Sequence, residues 1–199
     1  MSQEVPPVAV LVAHRVADWD QFHQVFQDHE QTRRDAGCLG HYVHRETDDP
    51  NMLYIYCPAS DPDRLQAFLG SDDLSGAMAK ATMVGEPTIT VMTPMSYEGP
   101  ESDEMRAGLI AIHDVDDYDH WRQAYDDFDE FRKSSGIISH AVNQERGNAN
   151  RVIVYHQAED VDTLRQFADS AELKDGMQRA GVTGEPAIQI VQEVDIAHY

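Results

Sequence analysis

Four of the ten histidines recur at a constant spacing of 99 residues, His14 with His113 and His41 with His140. An imidazole titrates near neutral pH, so it can take or give a proton, hold a phenol or enol by hydrogen bonding, or ligate a metal. A tyrosine recurs with them, Tyr56 with Tyr155. Counting back from the turn Thr47-Asp48-Asp49-Pro50 sets Glu46 opposite Asn51 and His41 opposite Tyr56, and the same count sets His140 opposite Tyr155. If that sheet face lines a cavity, each pair offers a base (His41 or His140) and an orienting phenol to a phenolic or enolic substrate. If it faces helices, each pair is a satisfied cross-strand hydrogen bond, the commoner fate of buried polar groups. His14 and His113, which close the first strand of each repeat, are secondary candidates.

Metal chemistry finds less support. His14 and His41 fall toward opposite ends of the expected sheet, and no duplicated histidine pair has the i, i+2 or i, i+4 spacing of a metal site. The unduplicated His23, His29, His44, His120, His156 and His198 read as surface or local packing residues. There is no phosphate-cradling glycine loop, no Gly-x-Ser-x-Gly elbow and no Cys-x-x-Cys. The expectation is no metal ligand and no organic cofactor, with haem or a transition metal left open. Arg33 and Arg132 could pair with helical acids, close a helix end, or bind an anion.

The elements that must position these groups also come twice. Val8 to His14 and Ala107 to His113 are short apolar runs suited to strands. Asp18 and Asp117 then stand as N-caps before amphipathic stripes, Trp19, Phe22, Val25 and Phe26 in the first copy and Tyr118, Trp121, Ala124 and Tyr125 in the second; Gly37 and Gly136 close them. A hairpin follows, about Leu39 to Glu46 and Met52 to Cys57. A second helical region opens at Asp61 or Asp160 and breaks near Ser71 or Ser170. Gly-Glu-Pro leads into a last strand, Thr88 to Met92 or Ala187 to Val191. The order is βαββαβ, twice, an α+β pattern of two ferredoxin-like repeats. Residues 1–93 read as the first repeat, 94–106 as a linker and 107–199 as the second.

Along the first strand Val8, Val10 and Val12 alternate with Ala9, Leu11 and Ala13, so both faces are apolar, as they are along Leu109 to Ile112. A sheet with one wet face alternates with polar residues instead. Helices cover one face; a unit of about 95 residues is small for an independent core, and the sister repeat is the natural cover for the other. Two such sheets make an intramolecular pseudo-dimeric α/β barrel with a cavity between them.

The net charge of -21, from 36 acidic and 15 basic residues, repels phosphate backbones and anionic headgroups, which argues against nucleic acid and membrane surfaces as partners. Cys38 and Cys57 have no duplicated counterparts and read as free thiols in a reducing compartment. With no signal-peptide pattern at MSQEVPPVAV and no apolar run near membrane-spanning length, a cytoplasmic protein is expected.

The pattern His-x-Val-x-Asp-aromatic-Asp in His14 to Asp20 and in His113 to Asp119, with Gly-Glu-Pro before each last strand, resembles the dimeric α/β-barrel superfamily, in particular its antibiotic-biosynthesis-monooxygenase-like branch. Members are usually homodimers of one domain, so the resemblance implies a fused dimer, with a further homodimer open to it. It implies a small-molecule enzyme of the cofactor-independent monooxygenase, cyclase or isomerase type acting on a small apolar or aromatic substrate. The alternative within the same superfamily is a non-catalytic ligand-binding or stress-responsive barrel. The Asn, Trp and His set of cofactor-free and haem-degrading members has no position-by-position counterpart in this chain.

Overall fold

The computed structural model describes residues 5–100 and 104–199. The first repeat comprises β1 (Val8–Val16), α1 (Trp19–Asp28), α2 (Glu30–Asp35), β2 (Gly40–Glu46), β3 (Met52–Ala59), α3 (Pro62–Leu69), α4 (Asp72–Lys80) and β4 (Met83–Glu98). The second runs through β5 (Ala107–Val115), α5 (Tyr118–Asp127), α6 (Asp129–Ser134), β6 (Ser139–Glu145), β7 (Asn148–Ala158), α7 (Val161–Asp169), α8 (Ala171–Arg179) and β8 (Val182–His198). The expected βαββαβ order is present in both copies, with each helical segment broken in two. Local chemistry sets the helix starts. Asp18 accepts from Gln21 N at 2.9 Å, Asp117 from His120 N at 2.8 Å and Asp160 from Thr163 N at 2.8 Å, which satisfies amides that have no partner in the first turn.

The chain divides into two compact units, and the division does not follow the repeats. One holds Pro6–Met92 together with Glu193–Tyr199; the other holds Thr93–Gln192 and, at the N-terminus, Val5. The cause is the length of the last strands. β4 runs to Glu98 and β8 to His198, so 94–98, read from composition as linker, is strand. In the first-repeat unit the hydrogen-bonded strand order is β4-β1-β3-β2, followed by the end of β8; in the second-repeat unit it is β8-β5-β7-β6, followed by the end of β4.

Within the first-repeat unit the end of β8 lies beside β2, where Tyr199 N donates to Leu39 O at 2.9 Å. The backbones approach so closely that a Cβ on Gly40 would lie 2.4 Å from Ala197 O. Only a residue without a side chain fits there. In the second-repeat unit the end of β4 lies beside β6, and Gly99, at φ +148°, faces Ser139 in the same way.

Both faces of the central strands are buried, as their uninterrupted apolar runs require. Val8, Val10, Val43 and Ile55 pack with Phe22 and Leu65 beneath the helices, while Ala9 and Leu11 on the opposite face are buried too. In the second-repeat unit Leu109 packs with Leu164 and Phe167, and Ile110 is buried on the far side.

The register of the hairpins differs from the turn-based count by one residue. Tyr42, not His41, pairs with Tyr56, and Ala141, not His140, pairs with Tyr155; His140 pairs with His156. In the second copy the cause is a register shift between Gln144 and Glu145; in the first, Arg45 pairs with Leu53, one residue further on than the assumed turn allows. Since successive side chains alternate faces, one residue is enough to put His41 and Tyr56 on opposite sides of the sheet.

The close approach at β2 predicts a contrast between two glycine substitutions. Gly40→Ala must push the β8 backbone aside and should lower stability by about 1–3 kcal/mol. Gly76→Ala, in the interior of α4 with nothing within 4 Å of the added carbon, should raise it by about 0.5–1 kcal/mol. Urea unfolding of the two variants measures both.

Candidate functional site

Each unit holds its functional groups between its sheet and its own helices. The first strand is where the backbone does the aiming. The β1–β4 register shifts between Ala13 and Arg15, and the β5–β8 register between Ile112 and Asp114, with the extra residues on β4 and β8, so His14 and His113 stand on unbroken strands opposite a bulge. Side chains alternate faces along a strand, so His14 follows Val10 and Val12, and His113 follows Leu109 and Ala111, onto the helix-facing side. His14 meets Phe22 edge-on, with ring centroids 5.3 Å apart, and His113 lies 5.7 Å from Trp121. Both imidazoles are buried, and neither nitrogen of either ring has a hydrogen-bond partner. Burial lowers the pKa of each to about 4, so both are neutral at physiological pH.

These two histidines line cavities. His14 heads one of about 100 Å³ in the first-repeat unit, walled by Val10, Phe22, Phe26, Leu65, Phe68 and Met78. His113 heads one of about 70 Å³ in the second-repeat unit, walled by Leu109, Trp121, Tyr125, Phe167 and Met177. Cys38 and Cys57 are free, buried thiols in the wall of the first.

His41 and His140 lie on the same helix-facing side but outside the cavity walls, and their phenol partners are not the expected ones. His41 Nδ1 is 2.7 Å from Tyr199 Oη, which also accepts from Arg33 Nε at 3.0 Å. On the other side of the ring, His41 Nε2 is 3.3 Å from Asp195 Oδ2, and the same oxygen is 2.9 Å from His23 Nε2. Burial, then Arg33, lowers the His41 pKa, and Asp195 partly offsets them. In the second-repeat unit the phenol is Tyr125, whose Oη is 3.1 Å from His140 Nδ1 and 3.3 Å from His156 Nε2. His140 Nε2 points between Asp129 and Glu98, at 3.7 and 3.8 Å. Tyr56 and Tyr155 project from the opposite side of their sheets; burial pushes the Tyr56 phenol far up.

Arg33 and Arg132 hold the helix breaks. Arg33 Nη1 donates to Phe26 O at 2.5 Å with its guanidinium 3.7 Å from the Phe26 ring centroid, and Arg132 does the same to Tyr125, at 2.6 and 3.9 Å. Arg132 also reaches Asp129 Oδ1 at 3.4 Å. A carbonyl at the end of one short helix and an aromatic face together fix a cation under the next.

Sequence reasoning missed Tyr199, Tyr125, Asp195, His23 and His156. One signal was present for Tyr125: its counterpart is Phe26, so a hydroxyl appears in one copy of an otherwise aromatic position. None was present for Tyr199 or Asp195, whose repeat counterparts are Pro100 and Ser96.

The family model described as "Antibiotic biosynthesis monooxygenase" matches residues 15–80, most of the first repeat. Solved structures with the same fold cover the whole chain. An anthrone oxidase-like protein aligns over 100% of this chain and 95% of its own at TM-score 0.75 and 15% identity. A protein from Fusobacterium nucleatum provisionally named a monooxygenase aligns over 98% and 96% at TM-score 0.68 and 13% identity. Another with that provisional name, from Lactobacillus acidophilus, aligns over 97% and 96% at TM-score 0.68 and 10% identity. No curated protein matches the sequence. The chain is thus similar to antibiotic-biosynthesis-monooxygenase-like proteins of ferredoxin-like fold, arranged as two repeats. Among the described residues no helix is long and apolar enough to cross a membrane.

The buried imidazoles predict an acid-sensitive fold. His14 and His113 bind protons more readily unfolded, near pH 6.5, than folded, near pH 4. Their contribution to stability is therefore complete above about pH 6.5 and lost as pH falls toward 4, by a few kcal/mol for each group. In denaturant titrations from pH 7 to pH 4, the double variant H14F/H113F should lose distinctly less stability than the native chain.

Proposed function

We propose that the protein binds a small, single-ring aromatic alcohol in the cavity headed by His14, with a smaller counterpart at His113, and acts on it in the manner of a cofactor-independent monooxygenase. One observation carries this reading: a neutral imidazole with two unpartnered nitrogens faces an apolar cavity at the equivalent place in both repeats. Buried polar groups are almost always satisfied, so an orphaned ring beside open space fits a ligand that brings the missing partner. A phenolic hydroxyl does so, and its ring suits the aliphatic and aromatic walls. An apolar cavity of about 150 Å³ takes benzene, so one of about 100 Å³ takes a single ring after small side-chain shifts, and nothing larger without helix movement.

In this reading His14 anchors the substrate. A group with a pKa near 4 is a poor general base at neutral pH, so its contribution is to hold the hydroxyl and keep the ring aligned. The aromatic substrate supplies the electrons. One atom of O2 replaces hydrogen on a ring carbon, forming a carbonyl, and the other leaves as water with two substrate hydrogens, so phenol becomes quinone. That same weak basicity favours the alternative reading, binding without turnover.

Calorimetric titration with phenol and hydroquinone, alongside oxygen-electrode assays, tests the proposal. Binding with Kd on the order of 0.1–1 mM is expected. H14F should weaken it about tenfold, the value of one hydrogen bond of roughly 1.4 kcal/mol. Oxygen uptake that requires both protein and phenol supports the oxygenase; binding without uptake supports the binding module. Absence of binding, or affinity unchanged in H14F, overturns both.

A further inference from the structure

We propose that Glu98, Asp129 and His140 form a site for a divalent transition-metal ion such as Zn²⁺ in the second-repeat unit, with water completing the coordination. The three ligand atoms, a carboxylate oxygen from each acid and His140 Nε2, all lie within 4.8 Å of one another. His140 Nε2 is 3.7 Å from Asp129 Oδ1 and 3.8 Å from Glu98 Oε2. Zinc bonds of about 2.1 Å at tetrahedral angles put ligand atoms about 3.4 Å apart, so the two distances from His140 need to shorten by only a few tenths of an ångström, and the exposed Glu98 side chain can swing to close the remaining gap between the carboxylates.

A second observation points to a ligand. His140 is 6% exposed, and its Nε2 has no hydrogen-bond partner although it is aimed between two carboxylates. Tyr125 Oη engages Nδ1 on the other side of the ring. If Nδ1 carries the proton, a lone pair on Nε2 meets two carboxylate oxygens, a repulsion that an intervening cation removes. Held from behind in this way, the ring is oriented as metal-bound histidines usually are. Lys133 Nζ binds Asp129 Oδ2 at 2.5 Å, while Oδ1, with Arg132 at a long 3.4 Å, faces His140. Glu98 is exposed and opens the site to water.

The charges facing the site set its strength. Asp129 and Glu98 are opposed by Lys133, by Arg132 at 3.4 Å from Asp129 Oδ1, and by the field of Arg122. Near-neutral surroundings fit micromolar rather than structural-zinc affinity. The first repeat lacks the set: Glu30 stands for Asp129, Ala197 for Glu98, and Asp195 binds His23. One metal per chain is therefore expected.

The test uses the full chain, stripped with chelator, titrated with Zn²⁺ by calorimetry and with Co²⁺ by visible absorption, over excess Mg²⁺ to occupy weak acidic sites. The expected result is one equivalent bound in the micromolar range, with a Co²⁺ ligand-field band. E98Q and D129N should weaken it by on the order of ten- to a hundredfold, and H140F should abolish the band. Because Glu98 is exposed, E98Q tests the site even if H140F fails to fold. H113F, in the cavity, should leave metal binding unchanged, which separates this result from the ligand-binding proposal. No binding tighter than about 100 μM, or equal binding by native chain and E98Q, overturns it.

Discussion

An antiparallel sheet ends in an edge whose backbone donors and acceptors must find partners, and in this protein the edge strands β2 and β6 are closed by the ends of β8 and β4. Each unit is thereby completed by a segment that follows the other repeat in the chain. Much else depends on this. The last strands must be long, 16 and 17 residues, and a glycine must stand at each close approach, Gly40 on one edge and Gly99 on the tail at the other.

The tails also bring side chains with them, and this is where the repeats part company. The β8 end delivers Asp195 and Tyr199 to His41, and buries Glu193 3.5 Å from His44. The β4 end delivers Glu98 to His140 and Ser96 to Arg122, whose Nη1 donates to the Ser96 hydroxyl at 2.7 Å. The tail tyrosine of β4, Tyr97, donates to Pro100 O at 3.1 Å, and the phenol at His140 comes from α5 as Tyr125. Two histidines that are equivalent by sequence thus sit in unlike electrostatic surroundings, one between a phenol and an aspartate shared with His23, the other facing two carboxylates.

The fold was legible because its determinants are local and come twice. Capping aspartates, helix-ending glycines, the serine breaks and the doubly apolar first strands each state one structural need, and the second copy repeats the statement. The site was legible only in part. His14 and His113 stood out as duplicated, and alternation sets them on one face with Val10 and Val12 or Leu109 and Ala111, but nothing in the spacing showed that this face meets a cavity. Pairing His41 with Tyr56 rested on a turn count, and a single residue more in the hairpin moved the tyrosine to the other face. Asp195, Glu98 and Tyr199 were illegible because they reach their histidines through a strand exchange, with partners 154, 42 and 158 positions away in the chain. His44 and His156, which lack duplicates, proved to be buried, since divergence between repeats marks a local environment and not exposure.

Amide hydrogen exchange on a chain ending at Gln192 tests the exchanged tails most directly. Removing Glu193–Tyr199 should strip protection from Gly40–Glu46 in β2 and loosen the helix-facing core of Pro6–Met92, while β5, β6 and β7 keep theirs, even though the deleted residues follow the second repeat. Loss of protection confined to Ala107–Gln192, with β2 unaffected, would contradict the account.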